Sequence, residues 1–418
     1  MRANSWKLPR FAKTKNWLRG VDLNHRPSGY EPDELPDCST PRQERLHYDG
    51  AGFAPAAAKS NRMAIGSLAE RIPKIHLHCH LEGCLRAGTF VELAAKHGVP
   101  LRYSPSSLQT AAAWPDEASE AVDLADPYRF RDFGEFLLIF AAVSRSLQDP
   151  DDYARLAKEF VEDALAQNVI YGELFVSPSV WTFFNPGLNV RATTQAIVTE
   201  LRAAQPRATF KLLPDLTRNF GALSALETAR SIASMTDLDV IGVSLGGDEE
   251  RFPAKLFVDA FDYARAQGLH RVAHAGEADG AQSVRDAVEL LHAERIGHGI
   301  RALQDPGTVE LLGTRRVPVE ICPTSNRLTG AALPQHPHPY LDFDERGCIA
   351  TIDADDPTLF HTSIEREYAL VEQVAGATAL ERYVRNAIEA TFAAPESKRA
   401  MEADLAAAVA ELQVRSRS

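Results

Sequence analysis

Arg71-Ile-Pro-Lys-Ile-His-Leu-His-Cys-His-Leu-Glu-Gly83 sets three histidines, 76, 78 and 80, at alternate positions of a short apolar run. Successive side chains of a β-strand point to opposite faces, so His76, His78 and His80 share one face. Neutral imidazoles held side by side can bind a transition metal. A polar strand face without a ligand has the same spelling, so the rest of the chain decides what the run means.

Outward from this run, short apolar strands alternate with amphipathic helices from Ile72 onward, the pattern of parallel βα units. After the histidine strand, strands are expected at Val169–Val176, Thr209–Leu213, Val240–Leu245, Gly268–Ala273, Arg295–Gly297, Val317–Ile321 and Ile349–Ile352. Helices are expected at Gly88–His97 and Arg155–Asn168, and around Val284, Ala287, Val288 and Leu291 on one face. Phe133, Phe136, Leu137 and Phe140 recur at helical spacing and read as core packing. Residues 103–128, rich in Ser, Pro, Ala and acidic residues, read as a loop or lid. Eight such units predict an α/β fold, a (β/α)8 TIM barrel with insertions. A doubly wound sheet is the alternative, but no Gly-x-Gly-x-x-Gly follows a strand.

The 418 residues carry a formal net charge of −12, which argues against a protein held to nucleic acid by its charge. No run approaches the roughly 18 apolar residues of a membrane-spanning helix, so no membrane partner is expected. The cysteines at 38, 79, 84, 322 and 348 have no paired spacing, which fits a reducing, cytoplasmic setting. Residues 1–62 hold 11 Lys/Arg against 7 Asp/Glu and lack apolar periodicity. They are expected to be disordered, or to be an extension outside the true reading frame. The run from Gly20 to Pro41 resembles what a mistranslated transfer-RNA gene yields, with Met63 as the natural start and 63–418 as the barrel.

In such a barrel the reactive groups stand at the C-terminal ends of several strands. His78 and His80 end the first, and His274 opens His274-Ala-Gly-Glu277 after another. His298 follows Arg295-Ile-Gly, and Asp355 and Asp356 follow the last strand. Three histidines and a carboxylate are a sensible set for one Zn2+ with an open position for water. Singly, each has a plainer reading: His298 as a turn residue, Asp355-Asp356-Pro357 as a helix start, Glu277 as an exposed acid. Their joint occurrence at strand ends favours the metal site.

From Ile72 to about Leu412 the order and spelling of these pieces resemble the adenosine deaminase family of metal-dependent amidohydrolases. The blocks are Pro73-Lys-Ile-His-Leu-His-Cys-His-Leu-Glu-Gly83, Ser244-Leu-Gly-Gly-Asp-Glu249, His274-Ala-Gly-Glu277, Glu294-Arg-Ile-Gly-His-Gly299, Cys322-Pro-Thr-Ser-Asn326 and Asp353-Ala-Asp-Asp-Pro-Thr-Leu-Phe360. His292-Ala-Glu294 is a fragment of the other zinc-deaminase signature, whose Pro-Cys-x-x-Cys is missing. The resemblance implies one zinc per chain, held by His78, His80, His274 and Asp355. It makes Glu277 the acid that protonates N1 of a purine, and His298 the group that orients and deprotonates the attacking water. Asp356 would contact N7, the N–H of Gly247 would contact N3, and His80 and Glu82 would also meet substrate. The implied partner is a small purine; the oligomeric state stays open.

Three departures from the family stand out. Glu82 occupies the position of an Asp that contacts the ribose in adenosine enzymes, and Glu there is usual in relatives acting on adenine or other adenine compounds. His76 replaces a Glu, and Ser244 a frequent Asp. The spellings around His274 and His298 lean toward adenosine, so adenosine is the expected substrate, with adenine and aminodeoxyfutalosine as alternatives. Two other readings compete. An amidohydrolase cleaving an amide or ester would call for a metal-bridging lysine, for which there is no convincing candidate. A zinc protein without catalysis would be expected to lack Glu277 or His298, and both are present.

Overall fold

The computed structural model describes residues 67–103, 120–121, 123–130, 133–332 and 338–415. The expectation for residues 1–62 and most of that for 103–128 lie outside them. Eight parallel strands occur in the expected order: β1 Lys74–His80, β2 Val169–Val176, β3 Thr209–Pro214, β4 Gly242–Val243, β5 His270–Ala275, β6 Arg295–His298, β7 Val319–Ile321 and β8 Ala350–Ile352. β1, β2 and β3 pair in parallel, and β4 through β8 pair in succession. Two irregular seams close the ring. Leu212 meets Val240 and Asp215 meets Ser244 between β3 and β4, and Cys79 meets Asp355 beyond the end of β8. Here His80 N–H donates to the Asp355 carbonyl at 2.9 Å and Asp355 N–H to that of His78 at 3.0 Å. The closure therefore runs through the residues of greatest chemical interest.

Short crossovers follow from local signals. Asp149 caps helix Pro150–Ala166 through a reciprocal box with Asp152, and Pro150 fits its first turn. That helix begins five residues before the expected Arg155. Helix Ala281–Glu289 buries Val284, Ala287 and Val288 on one face, as its spacing predicts. In helix Phe133–Ser146, Phe136 is buried and stacks on Phe360 with ring centroids 4.7 Å apart.

The barrel is packed on two levels. The large core lies between strands and helices, and a small cluster of Phe175, Leu213 and Val272 fills the ring beneath the histidines. Beside that cluster lies a buried ion network. Arg295 donates to Glu173 and Glu320 at 2.5 Å each, and its guanidinium lies 4.0 Å from the centre of the Phe392 ring. Burying three charges is tolerable because they are paired and bonded, and removing one partner of such a set costs about 3–5 kcal/mol.

Candidate active site

β1 brings His78 and His80 to the top of the barrel, β5 brings His274 and β6 brings His298. The chain after β8 turns through Asp355 at φ 64°, and His298 has φ 59°. Left-handed backbone is uncommon outside glycine, although Asp and His adopt it more readily than most. Gly297 is required beside them, since a Cβ there would lie 2.7 Å from His78 Cε1.

Four donor atoms converge. His80 Nε2 and His274 Nε2 are 3.1 Å apart, and Asp355 Oδ1 lies 3.5 Å from both His78 Nε2 and His80 Nε2. His78 Nε2 is buried without a hydrogen-bond partner, and the Nε2 atoms of His80 and His274 point at one another rather than at a carboxylate or carbonyl. Two Zn–N bonds of about 2.0–2.1 Å at a tetrahedral angle set the nitrogens about 3.3 Å apart. The donor set fits a divalent cation. Burial together with the charge of His78 pushes His274 well below the ordinary imidazole range, and burial brings His80 down to about 4. Both rings are therefore neutral, the form in which an imidazole can bind a metal. Burial opposes charge on His78, but the bonds to Asp355 and Glu320 outweigh it and push this ring well up. Two carboxylates thus demand a positive charge at His78, and a cation at Nε2 would supply it. Burial likewise opposes charge on Asp355, yet the bond to His78 and the charge of that ring help hold it well below the usual carboxylate range.

Supporting bonds fix these groups. Glu320 lies 2.9 Å from His78 Nδ1, so that ring donates from Nδ1 and leaves Nε2 free toward the cluster. Ser325 Oγ donates to Asp355 Oδ2 at 2.6 Å, and Asp353 accepts Leu77 N–H and His78 N–H at 2.6 and 3.1 Å. Asp215 stands 3.5 Å from His80 Nδ1. Arg218, fully buried, donates to the His274 carbonyl at 2.8 Å. Phe175 packs edge-on against His78 at 4.9 Å between centroids. Of these, only Ser325 and Asp353 lie in blocks quoted from the sequence.

Glu277 follows β5, its Oε2 3.6 Å from His298 Nε2. Burial, with Asp355 and Glu249 nearby, pushes its carboxyl up to about 8. Burial and the charge of His78 bring His298 down to about 3, so its ring is neutral. Asn326 Nδ2 donates to His298 Nδ1 at 2.9 Å. Glu82 begins a short turn after β1 and is 1% exposed, so it is a buried carboxyl rather than an exposed arm. Its Oε1 accepts Trp181 Nε1–H at 2.6 Å and Ser177 N–H at 2.9 Å, and its Oε2 has no partner. Asp356 is buried, pushed well up by burial and by Asp355, and its Oδ1 is unpartnered. Gly247 stands apart from the histidines, after β4, at φ 103°, where a Cβ would meet Asn219 Oδ1 at 2.4 Å. His76 does not join the donor cluster: its Nε2 accepts Ala354 N–H at 3.3 Å, and strand pairing shifts between His76 and Cys79.

Known proteins are similar to this chain in sequence and in fold. The family model described as adenosine deaminase matches residues 73–408. An adenosine deaminase from Clostridium botulinum (strain Hall) is 32% identical over 336 residues, covering 79% of this chain and 96% of its own length. An adenine deaminase from Rhizobium leguminosarum bv. trifolii is 33% identical over 338 residues, covering 80% and 99%. An aminodeoxyfutalosine deaminase from Streptomyces avermitilis is 32% identical over 366 residues, covering 86% and 97%. Among solved structures, adenine deaminase from Arthrobacter aurescens superposes with a TM-score of 0.72 at 25% identity, covering 81% and 99%. An amidohydrolase from Burkholderia ambifaria with bound Zn superposes at 0.70 with 26% identity, covering 85% and 96%.

Proposed function

This chain belongs to the adenosine deaminase family and is a hydrolytic deaminase, and from that premise we propose that its substrate is adenosine, with 2′-deoxyadenosine as a second substrate. The 6-amino group is replaced by oxygen and ammonia is released. One observation carries the choice: Glu82 commits Oε1 to Trp181 and Ser177 and keeps Oε2 without a donor. A sugar hydroxyl is a donor that would complete it. Adenine or aminodeoxyfutalosine is the second reading, favoured by Glu rather than Asp at position 82 and by the relatives named for those compounds.

The metal is proposed to be zinc, held by His78, His80, His274 and Asp355. When bound there it lowers the pKa of water from about 15.7 to about 7 and so supplies the nucleophile at neutral pH. Glu277, with a carboxyl pushed up to about 8, keeps a proton to place on N1 of the ring. That proton draws electrons from C6 and makes it open to attack. His298 is neutral and accepts from Asn326 at Nδ1, so its Nε2–H is a donor that orients the water. To take the water's proton at Nε2, Asn326 must turn its carboxamide and accept from Nδ1–H. Asp356, pushed well up, is protonated and offers a donor to N7, and the Gly247 N–H is assigned to N3.

The deciding experiment is ammonia release from adenosine, 2′-deoxyadenosine, adenine and aminodeoxyfutalosine by zinc-loaded protein. Adenosine is expected to give the highest kcat/KM, with Glu82→Asp largely intact on it and creating no adenine activity. Glu82→Gln is expected to lower kcat/KM for adenosine by about 10- to 150-fold, the weight of one hydrogen bond to a charged group. Adenine turning over far faster than adenosine, with Glu82→Asp narrowing the gap, would overturn the nucleoside reading and leave the deaminase chemistry standing.

A further inference from the structure

We propose that Cys79 and Cys84 form a covalent modification site that takes hydrogen peroxide and closes to a disulfide. Their sulfurs lie 3.4 Å apart, Cys79 within β1 and Cys84 at the end of the turn Glu82–Cys84. Both thiols are free and buried. A disulfide bond is about 2.05 Å long, so the sulfurs must close by about 1.4 Å. The turn, a single short helical loop, is the part that can move. β1 is held in the barrel on both edges.

Access is asymmetric. A cavity of about 390 Å3 has His76, Cys84, Phe160, Asp163, Gln167 and Thr362 in its lining. Its lining includes the half-buried Asp163 and the exposed Ala166, so it reaches solvent. None of the proposed zinc ligands lines it. A peroxide entering there meets Cys84 and not Cys79. The Cys84 sulfur takes one oxygen, the O–O bond breaks, and the first water leaves with the thiol proton. The Cys79 sulfur then attacks Cys84, the S–O bond breaks, and the second water leaves. Peroxide is reduced and the two thiols are oxidised to one disulfide.

The consequence follows from what the turn carries. Its first residue is Glu82, and Gly83 is pressed so closely on Asp356 that a Cβ would fall 2.0 Å from Oδ1. The Gly83 carbonyl also accepts Thr358 N–H at 3.0 Å. Pulling Cys84 toward β1 therefore displaces Glu82 and shifts Gly83 against the Asp356 carboxyl, while His78, His80 and His274 stay on their strands and Asp355 stays tied to β1 through its backbone bonds with His78 and His80. The oxidised protein should bind substrate poorly and keep its metal. This second half rests on the proposed roles of Glu82 and Asp356.

The test is to treat the zinc-loaded full chain with hydrogen peroxide and follow intact mass, the linked peptides, zinc content and the KM/kcat split. The expected result is loss of two hydrogens, a peptide linking Cys79 to Cys84, unchanged zinc, and KM raised about tenfold or more. Dithiothreitol should restore it, and Cys84→Ser and Cys84→Ala should resist. The proposal is overturned by absence of the linked peptide, by equal sensitivity of both Cys84 variants, or by a linked protein whose KM has not moved. Failure of the substrate reading would show separately, as absent turnover before any peroxide is added.

Discussion

Glu277 can protonate a purine near neutrality only if it holds its own proton there, and its surroundings do that work. Burial comes first, then the negative charges of Asp355 and Glu249, and together they push it up to about 8. In the proposed role the protonated form is the active one, so kcat/KM should be sustained below that value and fall as pH rises through about 8. Glu277→Gln keeps the shape and cannot give up a proton. Turnover should drop by at least the 10²- to 10⁴-fold typical of general acid–base groups, with zinc content and binding of an unreactive purine nucleoside preserved. Near wild-type turnover would remove Glu277 from the role. For the metal, His274→Ala should lose most bound zinc on metal analysis, whereas His76→Ala should keep it, because His76 bonds to Ala354 N–H instead of joining the cluster. The histidine run, His274, Glu277, His298 and Asp355 were all legible, since they stand in short runs with recognisable spelling. Asp215, Glu320, Arg218 and Phe175 were not, because each acts through a neighbour remote in sequence. Glu173 and Glu320 did leave a trace: a carboxylate inside Val169-Ile-Tyr-Gly-Glu-Leu-Phe-Val176 or before Ile321 must be paired if the strand is buried.

At the scale of single elements, all eight strands were legible in the apolar runs, and their ends were not. β5 begins at His270 where Gly268 was expected, because Gly268 takes φ 74° and closes the preceding helix. β4 shrinks to two residues because the chain on either side bridges to β3 only at Val240 and Ser244. What no periodicity could disclose is how the loops are held. Glu249, in the loop after β4, accepts from four successive N–H groups, those of Gly276, Glu277, Ala278 and Asp279, at 2.5, 3.2, 2.8 and 3.0 Å. One carboxylate thus holds the loop that aims Glu277. Glu249→Gln keeps an oxygen acceptor but turns amide hydrogens toward some of those donors. It should cost about 1–3 kcal/mol in denaturant unfolding, the penalty of unmade buried hydrogen bonds. kcat should fall more than KM changes, since the acid and not the purine pocket is displaced. A variant with wild-type stability and kcat would mean that the loop is held by its own turn.

For the whole molecule the question is how much chain the barrel needs. Among the described residues, no helix is long and apolar enough to cross a membrane. The barrel's lower end is sealed by helix Leu68–Arg71, which is short and has no stability of its own. It is held from outside: Leu68 N–H and Ala69 N–H donate to the two Glu372 oxygens at 3.0 and 2.9 Å, and Ser67 caps Glu70 N–H at 3.3 Å. Leu68, Ala69 and Ile72 are buried beneath it. We propose that the folding unit is 63–418, with residues 1–62 dispensable. A chain beginning at Met63 keeps every one of these contacts, so its melting temperature, zinc content and kcat/KM should match those of the full chain. A chain beginning at Pro73 retains the whole family match yet strands the Glu372 carboxylate, loses the buried Leu68, Ala69 and Ile72, and bares the apolar surface they cover. At about 25 cal/mol per Å2 of apolar surface, plus two lost bonds to a charged group, it should be less stable by several kcal/mol. If instead the Met63 chain is the one that fails, residues 1–62 take part in the fold and the proposed boundary is wrong.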